Sequence, residues 1–236
     1  TLDRFLKSSW SGLPVGKKEW DTSWTEDKLP MLTGLARGLA YLHSFKPPII
    51  HGDLKPENVL LDAGWQPKLA DFGTSKETEK EGLNTYEGTP FFMAPEVLRQ
   101  RPHDHRADIW AYACVAECMV THHMVYHLHG ALQEGTDNQA LIDRVQAGSL
   151  RPAADGHFLE YLILDIARDD PRDRPQFPEI IMRLDKLHAG AAAADAAEAA
   201  AEAAALAAAA AKAGEEASVV TEKRRRASAM AAAAET

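Results

Sequence analysis

The chain has 236 residues, of which 45% are hydrophobic, so it is long enough for one sizeable domain or for a domain and a tail. Its formal net charge of -9 argues against a general affinity for nucleic acid or membrane surfaces, because both favour a basic protein surface. No apolar run reaches about 18 residues, the length that a membrane-spanning helix needs. We therefore expect neither a nucleic-acid partner nor a membrane span.

The N-terminal part predicts two helices separated by a polar segment. Residues 1–7 carry apolar side chains on one helical face, and residues 28–44 repeat leucine at the spacing of an amphipathic helix. Two prolines then end the second helix, and His43 in its last turn is predicted to be a capping or surface residue. Residues 8–26 predict a loop or insertion whose three tryptophans cap the core, with an interaction surface as the alternative.

Two short polar motifs follow. Residues 51–58 read His-Gly-Asp-Leu-Lys-Pro-Glu-Asn, and residues 71–73 read Asp-Phe-Gly. Between them, residues 59–61 and 67–70 predict two short strands joined by a turn at residues 62–64. Such a hairpin would bring two carboxylates, a lysine and a carboxamide into one small volume.

This group of side chains suits phosphoryl transfer to a hydroxyl. Asn58 and Asp71 offer oxygen ligands, which hard ions such as Mg²⁺ prefer. Asp53 is placed to orient the attacking hydroxyl and accept its proton, and Lys55 can neutralise charge on the transferred group. An aspartate beside a glycine is usually only a turn, so the prediction rests on the combined pattern and not on one residue.

Together the two motifs resemble the catalytic and metal-binding loops of the protein kinase family. The resemblance implies that Asp53, Lys55 and Thr89 are catalytic residues. It also implies that Lys55, Asn58 and Asp71 bind ATP, the last two as ligands of Mg²⁺.

The first motif alone leaves the substrate class open. Gly52 stands where most kinases have arginine, and His-Gly-Asp followed by Asn is also similar to phosphotransferases that modify aminoglycosides or choline. Residues 88–96, however, resemble the kinase segment that ends the activation loop and holds the peptide substrate, which those small-molecule enzymes do not share. We therefore expect a protein substrate. The polar residues 74–87 before this segment predict a mobile surface loop.

The apolar run from Asp108 to about Val120 resembles the buried central helix of the kinase large lobe. The resemblance implies that Asp108 accepts backbone N–H groups from the catalytic loop. Cys114 and Cys118 lie four residues apart on one helical face and are expected to be buried free thiols, as in a reducing compartment. The histidines that follow lack the acidic or cysteine partner that would complete a metal site.

Apolar periodicity predicts two more short helices, at residues 141–147 and 158–167. The sequence Asp-Pro-Arg-Asp-Arg-Pro at residues 170–175 resembles the closing signature of the kinase large lobe. This implies that Arg174 pairs with Glu96 and braces the substrate segment. The sequence of residues 174–180, Arg-Pro-Gln-Phe-Pro-Glu-Ile, most resembles that of the tyrosine-kinase-like group of serine/threonine kinases.

Composition changes abruptly at residue 189, since 26 of the last 48 residues are alanine. We expect a domain at residues 1–188 and a low-complexity tail at residues 189–236, disordered or partly helical. The basic residues 223–226 are interpreted as a solvated charge run, with a nuclear address as the alternative, and Ser228 after them matches a basic-directed phosphorylation pattern. A cytoplasmic location is expected, with the nucleus as the alternative.

The resemblance covers residues 1–188, which correspond to nearly all of the kinase large lobe. The predicted fold is therefore mainly α, with a short β-hairpin that carries the catalytic and metal-binding loops. No Gly-rich loop, strand lysine or helix glutamate of a small lobe occurs in this sequence, so we expect the small lobe upstream of Thr1, with a chain that never had a small lobe as the alternative.

These features predict a serine/threonine protein kinase that transfers the γ-phosphate of ATP to protein hydroxyls and is inactive as this chain alone. Lys55 favours serine and threonine over tyrosine as acceptors. The alternative is a catalytically inactive pseudokinase or an interaction module. The intact catalytic and metal-binding residues argue against that alternative, whereas the lack of small-lobe elements argues for it.

Overall fold

The structure is a computed structural model that describes residues 1–4, 6, 27–77, 89–127, 137–193 and 197. Contacts divide the chain into two compact units, Thr1–His188 and Ala189–Thr236. The predicted insertion, most of the segment predicted as a mobile loop, the basic run and Ser228 lie outside the described residues. Among the described helices, none is both long and apolar enough to cross a membrane.

The first unit is rich in helices and contains two small sheets of two strands each in its described part. Its described elements are, in chain order, α1 (Leu29–His43), β1 (Ile49–Ile50), β2 (Val59–Leu61), β3 (Pro67–Leu69), β4 (Lys76–Glu77), α2 (Pro95–Leu98), α3 (Arg106–Thr121), α4 (Asn138–Gln146), α5 (Glu160–Ile166) and α6, which begins at residue 177.

Helix α1 forms where the leucine periodicity predicted it and carries the hairpin of β2 and β3 on one side. Glycine allows the close approach, since a Cβ atom at Gly34 would lie 2.9 Å from the ring of Pro67. In the hairpin, Val59 pairs with Leu69 in antiparallel register. The Asp62 carboxylate closes the turn by accepting two backbone N–H groups. The predicted strand, turn and strand are confirmed.

The prediction of a loop throughout residues 74–87 is wrong at its beginning. Lys76 and Glu77 form β4, which pairs antiparallel with β1, so that Ile49 lies opposite Glu77. A strand of two residues is held by backbone hydrogen bonds and needs no apolar alternation, so the polar sequence gave no sign of it. The pairing ties the chain that follows Asp71 to the chain that enters the catalytic loop.

Helix α3 runs through the centre of the unit. Most of its residues are buried, including Ile109, Trp110 and Val115. Cys114 and Cys118 are buried free thiols, as predicted. The short helix α2 was not predicted.

Helix α4 starts earlier than its apolar pattern indicated. The Asp137 carboxylate caps it by accepting the backbone N–H groups of Gln139 and Ala140. Its first turn is polar and exposed, so periodicity could detect only the part from Leu141 onward. Helix α5 forms at the predicted place, whereas α6 was not predicted.

Candidate active site

Asp108, in the first turn of α3, anchors the catalytic loop, residues 51–58. Its residue surface is 2% exposed, and its oxygens accept the backbone N–H groups of His51 at 2.8 Å and Gly52 at 3.1 Å. This confirms the contact that the kinase resemblance implied. Burial alone would raise the pKa of Asp108, but a hydrogen bond from His43 and the two amides hold the pKa below its ordinary value. The anchor is therefore a charged carboxylate.

His51 joins the two motifs. Its buried imidazole lies 3.1 Å from the Ala70 carbonyl through Nε2, and its Nδ1 is 3.4 Å from the Asp53 backbone N–H. A carbonyl only accepts and an N–H only donates, so Nε2 carries the proton and Nδ1 accepts. The Phe72 ring packs against the imidazole at a centroid distance of 5.3 Å. The chain before Asp71 is thus tied to the residue expected to be the base.

Asp53 is the centre of the predicted site. Its Oδ1 accepts both the backbone N–H and the hydroxyl of Thr89, at 2.8 and 3.0 Å. Its Oδ2 lies 2.7 Å from Lys55 Nζ and 3.1 Å from Asn58 Nδ2. Burial raises the pKa of Asp53, but the hydrogen bonds from Lys55 and Thr89 outweigh it, so the pKa lies below its ordinary value. Asp53 is therefore held in its ionised form.

Lys55 and Thr89 also contact each other, with Lys55 Nζ 2.7 Å from Thr89 Oγ1. The hydroxyl therefore accepts from the ammonium group and donates to Asp53. Thr89 comes from the segment that the sequence assigned to substrate binding, 36 residues beyond Asp53. The structure brings these three predicted catalytic residues into one hydrogen-bonded group.

The residues expected to hold Mg²⁺ fit that role chemically. Asn58 uses its amide N–H₂ to donate to the Asp53 backbone carbonyl at 2.8 Å and to the Asp53 carboxylate, which directs its acceptor oxygen elsewhere. Within the described part of the chain no donor occupies that oxygen. Asp71 is exposed, and its Oδ1 makes only a long contact of 3.4 Å with the Gly73 N–H. The Ala70 N–H donates to the Asn58 carbonyl at 2.9 Å, so the two residues expected to bind Mg²⁺ lie where β2 begins and just after β3 ends.

The prediction that His43 is a capping or surface residue is wrong. Its side chain is 7% exposed, and its Nε2 lies 2.9 Å from Asp108 Oδ2. Polar neighbours in the sequence suggested exposure, but α3 covers this end of α1. Sequence spacing gave no signal for the contact, because 65 residues separate the two side chains.

The substrate segment is braced as predicted. Arg174 donates to both carboxylate oxygens of Glu96, at 2.6 and 2.7 Å, and its guanidinium lies over the Trp110 ring. A cavity of about 40 Å³ lies between this segment, the catalytic loop and α3. Gly52 lines the cavity and adopts a φ of +81°, which favours glycine.

The histidines after α3 are engaged with each other and with a lysine. Lys28 Nζ lies 2.8 Å from His122 Nε2, and burial together with the lysine charge lowers the pKa of His122 to about 4. The rings of His123 and His127 stack at 3.8 Å. In the described ranges no group of three or more histidine, cysteine, aspartate or glutamate side chains is arranged to hold a metal ion.

Comparison with known proteins agrees with this geometry. The protein kinase domain family matches residues 21–183, which is well over half of the chain. The anchored loop, Asp53 with Lys55 and Thr89, and the two residues expected to bind Mg²⁺ all lie within the matched residues. The chain therefore belongs to the protein kinase family.

Three curated relatives illustrate the similarity. Mitogen-activated protein kinase kinase kinase 13 of Homo sapiens is 36% identical over 165 residues, which is 68% of this chain and 16% of the relative. The 13-B form of Xenopus laevis is 36% identical over 157 residues, covering 65% and 15%. The "probable serine/threonine-protein kinase drkC" of Dictyostelium discoideum is 34% identical over 164 residues, covering 66% and 21%. The chain thus spans about a fifth or less of the length of these relatives.

Proposed function

We propose that this kinase domain transfers the γ-phosphoryl group of Mg-ATP to a serine or threonine hydroxyl of a protein. The observation that carries the proposal is the hydrogen-bonded group of Asp53, Lys55 and Thr89 beside the oxygen ligands Asn58 and Asp71. The relatives' names support serine and threonine as acceptors. The tyrosine-kinase-like subgroup stays a prediction.

Each residue then has a defined task. The substrate hydroxyl binds at Asp53, which orients its oxygen toward the γ-phosphorus and accepts its proton as the oxygen–phosphorus bond forms and ADP leaves. Lys55 moves from Asp53 to the transferred group, where its charge stabilises the phosphoryl oxygens. Asn58 and Asp71 would hold Mg²⁺, which supplies positive charge to the phosphates.

The contacts of Asp53 suggest the order of events. Among the described residues, four protein donors contact its carboxylate, namely the N–H and hydroxyl of Thr89, Lys55 Nζ and Asn58 Nδ2. Withdrawal of Lys55 toward the nucleotide phosphate would leave an oxygen of Asp53 free to accept the substrate hydroxyl. Binding of ATP would therefore prepare the base for the acceptor.

We further propose that residues 1–188 correspond to the large lobe and that residues 189–236 form a separate low-complexity tail. A small lobe would supply the Gly-rich loop and the lysine that binds the α- and β-phosphates. Because these groups cover the nucleotide, the chain alone should transfer phosphate immeasurably slowly. A cytoplasmic location, with the nucleus as the alternative, stays a prediction.

The test compares the chain alone with a chimera that carries the small lobe of the human relative upstream of Thr1. Both are incubated with γ-labelled ATP, Mg²⁺ and matched peptides that differ only in a serine, threonine or tyrosine acceptor. We expect labelled serine and threonine peptides with the chimera and none with the chain alone. Asp53→Asn should abolish the signal, and Asp62→Asn, in the nearby turn, should leave it unchanged.

A folded chimera that binds ATP without transferring phosphate would instead support the pseudokinase alternative. Robust transfer by the chain alone that disappears in Asp53→Asn would show that no small lobe is needed. Equal labelling of the tyrosine peptide would remove the proposed acceptor preference.

A further inference from the structure

The hydroxyl of Ser75 closes one end of the small sheet formed by β1 and β4. Ser75 lies directly before β4, and its Oγ donates to the His51 carbonyl at 3.2 Å. His51 lies directly after β1, so this side-chain hydrogen bond extends the pairing of the two strands. The backbone N–H of Ser75 donates to the Phe72 carbonyl at 3.1 Å. Ser75 therefore ties the chain that follows Asp71 to the first residue of the catalytic loop.

This sheet is small enough to open locally. Each strand has two residues, and within the described part of the chain no third strand pairs with them. A two-stranded sheet is marginally stable by itself, so its opening needs much less free energy than unfolding of the core. Ser75 is half-buried while the strands are paired, and its hydroxyl becomes accessible when β4 separates from β1.

We propose that Ser75 is a phosphorylation site and that a phosphate there switches the kinase off by holding β4 away from β1. The donor is Mg-ATP, and the enzyme is a serine kinase, either a second copy of this kinase or a different one. The Ser75 oxygen forms a bond to the γ-phosphorus, ADP leaves and the hydroxyl proton is released. The effect on activity rests on the proposed function, to which this site adds an inhibitory control.

A phosphate cannot replace the hydroxyl in its contact with His51. The hydroxyl is a donor, whereas the phosphate oxygens are acceptors that carry a charge of about -1.5 to -2 at neutral pH. The His51 carbonyl is also only an acceptor, so it repels a phosphate placed where the hydroxyl now donates to it. A return to the half-buried position would in addition remove water from the charge. The modified chain is therefore more stable with β4 separated from β1.

Separation of the strands acts on the active site through Asp71. The hairpin holds the chain before Asp71, and the pairing of β4 with β1 holds the chain after it. Without the second of these restraints, Asp71 gains freedom relative to Asp53, and misplacement of catalytic groups lowers the rate strongly. An activating phosphate farther along the segment is a different case, because it would need a cation such as the arginine that most kinases have at the position of Gly52.

Four variants isolate the effect of the charge. Ser75→Asp adds a negative charge, and Ser75→Asn is its neutral counterpart of the same size. Ser75→Ala removes the hydroxyl and prevents modification. Ser149→Asp is the matched control, because the Ser149 hydroxyl also donates to a backbone carbonyl, that of Arg144 at 3.1 Å, just after α4. A chain with phosphoserine incorporated at position 75 during synthesis is the direct probe.

The first measurement is amide hydrogen exchange by NMR on the chain itself. We expect the paired amides of β1 and β4 to exchange about tenfold faster in the phosphoserine chain and in Ser75→Asp than in Ser75→Asn. The Ala167 amide, which donates to the Ile163 carbonyl at 2.9 Å, reports general opening and should not change. Equal exchange in the phosphoserine chain and Ser75→Asn would overturn the inference, and so would an equal acceleration at Ala167. The phosphoserine chain decides if Ser75→Asp does not fold or behaves differently.

The second measurement is kcat of the chimera that carries a small lobe. We expect kcat to be at least about tenfold lower in Ser75→Asp than in Ser75→Asn, whereas Ser75→Ala and Ser149→Asp stay within about threefold of the unmodified chimera. A chimera with phosphoserine at position 75 and full or higher kcat would overturn the inhibitory role.

The third measurement maps phosphate on Ser75 by mass spectrometry. The chimera with Asp53→Asn, which cannot modify itself, is incubated with Mg-ATP and the unmodified chimera, and is separately recovered from eukaryotic cells. Phosphate in the first sample identifies a second copy as the enzyme, and phosphate only in the second sample identifies a different kinase. Its absence from both samples would overturn the inference.

The proposed function and this inference fail in distinguishable ways. If the unmodified chimera transfers no phosphate, the proposed function fails. The sample from cells and the exchange experiment then still decide whether Ser75 is modified and whether its phosphate opens β4.

Discussion

The Glu96 carboxylate and the Arg174 guanidinium form a two-pronged ion pair, at 2.6 and 2.7 Å, in the interior of the protein. The side chain of Arg174 is 0% exposed and that of Glu96 is 7% exposed. The guanidinium of Arg174 also donates to three backbone carbonyls in two surrounding segments, those of Arg168 and Asp169 in one and that of Arg106 in the other. The pair therefore holds the end of the substrate segment to the start of α3 and to the closing signature.

Neutralising one partner should leave a buried charge without compensation. We expect Glu96→Gln to lower the free energy of unfolding by about 3–5 kcal/mol, measured by urea denaturation. Asp185→Asn is the control, because Asp185 pairs with Arg37 on the exposed surface at 3.3 Å and such pairs contribute about 0–1 kcal/mol. Similar losses in the two variants would contradict a special role for the buried pair.

Glu117 should make stability depend on pH. Its oxygens accept the backbone N–H groups of Tyr126 and Ala153, at 2.6 and 3.1 Å, yet burial raises its pKa to about 8. Between pH 4.5, the ordinary pKa of a glutamate, and about pH 8, the folded protein binds a proton that the unfolded chain has released. The unfolded state then binds fewer protons, so this group makes the free energy of unfolding fall as the pH rises.

Glu117→Gln removes that titration and should flatten the fall. The measurement is urea denaturation at several pH values between about 5 and 8. Below pH 6.5, the ordinary pKa of histidine, the lowered pKa of His122 makes the free energy of unfolding rise with pH, which opposes the effect of Glu117. The quantity to compare is therefore the difference in free energy of unfolding between the variant and the unmodified chain. A difference that stays constant across the range would show that Glu117 keeps an ordinary pKa.

Asp71 should matter for rate and little for stability. It is exposed, and its side chain makes one long contact with the Gly73 N–H. Loss of a metal ligand should lower kcat of the chimera on the order of 100-fold in Asp71→Ala, because the charge of Mg²⁺ would no longer be held at the phosphates. Asp62→Asn in the same hairpin controls for the loss of one negative charge. Activity retained within about threefold would exclude Asp71 as a ligand.

Gly52 predicts that activity depends little on phosphorylation of the segment before Thr89. In most kinases the arginine at this place pairs with a phosphate and orders that segment. Glycine offers no such charge. The chimera with Thr78→Ala, Thr85→Ala and Tyr86→Phe should therefore keep most of its kcat/KM. A loss of about 100-fold, or about 2.7 kcal/mol, would show that another cation has replaced the arginine.

Local patterns predicted the parts of the site that lie close together in sequence. The hairpin was expected from its two short apolar runs and the turn between them, whereas the burial of α3 and the contact of Asp108 with the loop were implied by the resemblance to the kinase family. β4 was missed because two polar residues hold it through backbone bonds alone. The burial of His43 and its contact with Asp108 were not predicted, because they depend on which distant element covers the side chain, and the sequence of α1 alone does not determine this.

The contact between Thr89 and Asp53 could not be predicted from local sequence patterns. The resemblance assigned Thr89 to the site, but no spacing rule gives its distance from a base 36 residues earlier. Its double contact with Asp53 depends on how the intervening chain returns to the loop. Long-range closure of this kind follows from packing of the whole unit and not from a motif.

The imidazole of His51 has a consequence for the timing of substrate recognition. Because it joins the Ala70 carbonyl to the Asp53 N–H, the separation between Asp53, the proposed proton acceptor, and Asp71, the proposed Mg²⁺ ligand, is set when the chain folds. A binding nucleotide therefore meets two side chains whose separation is already fixed, and none of its binding free energy is needed to align them. The conformational entropy of ordering these two residues is thus lost once, when the chain folds, and not in each catalytic cycle.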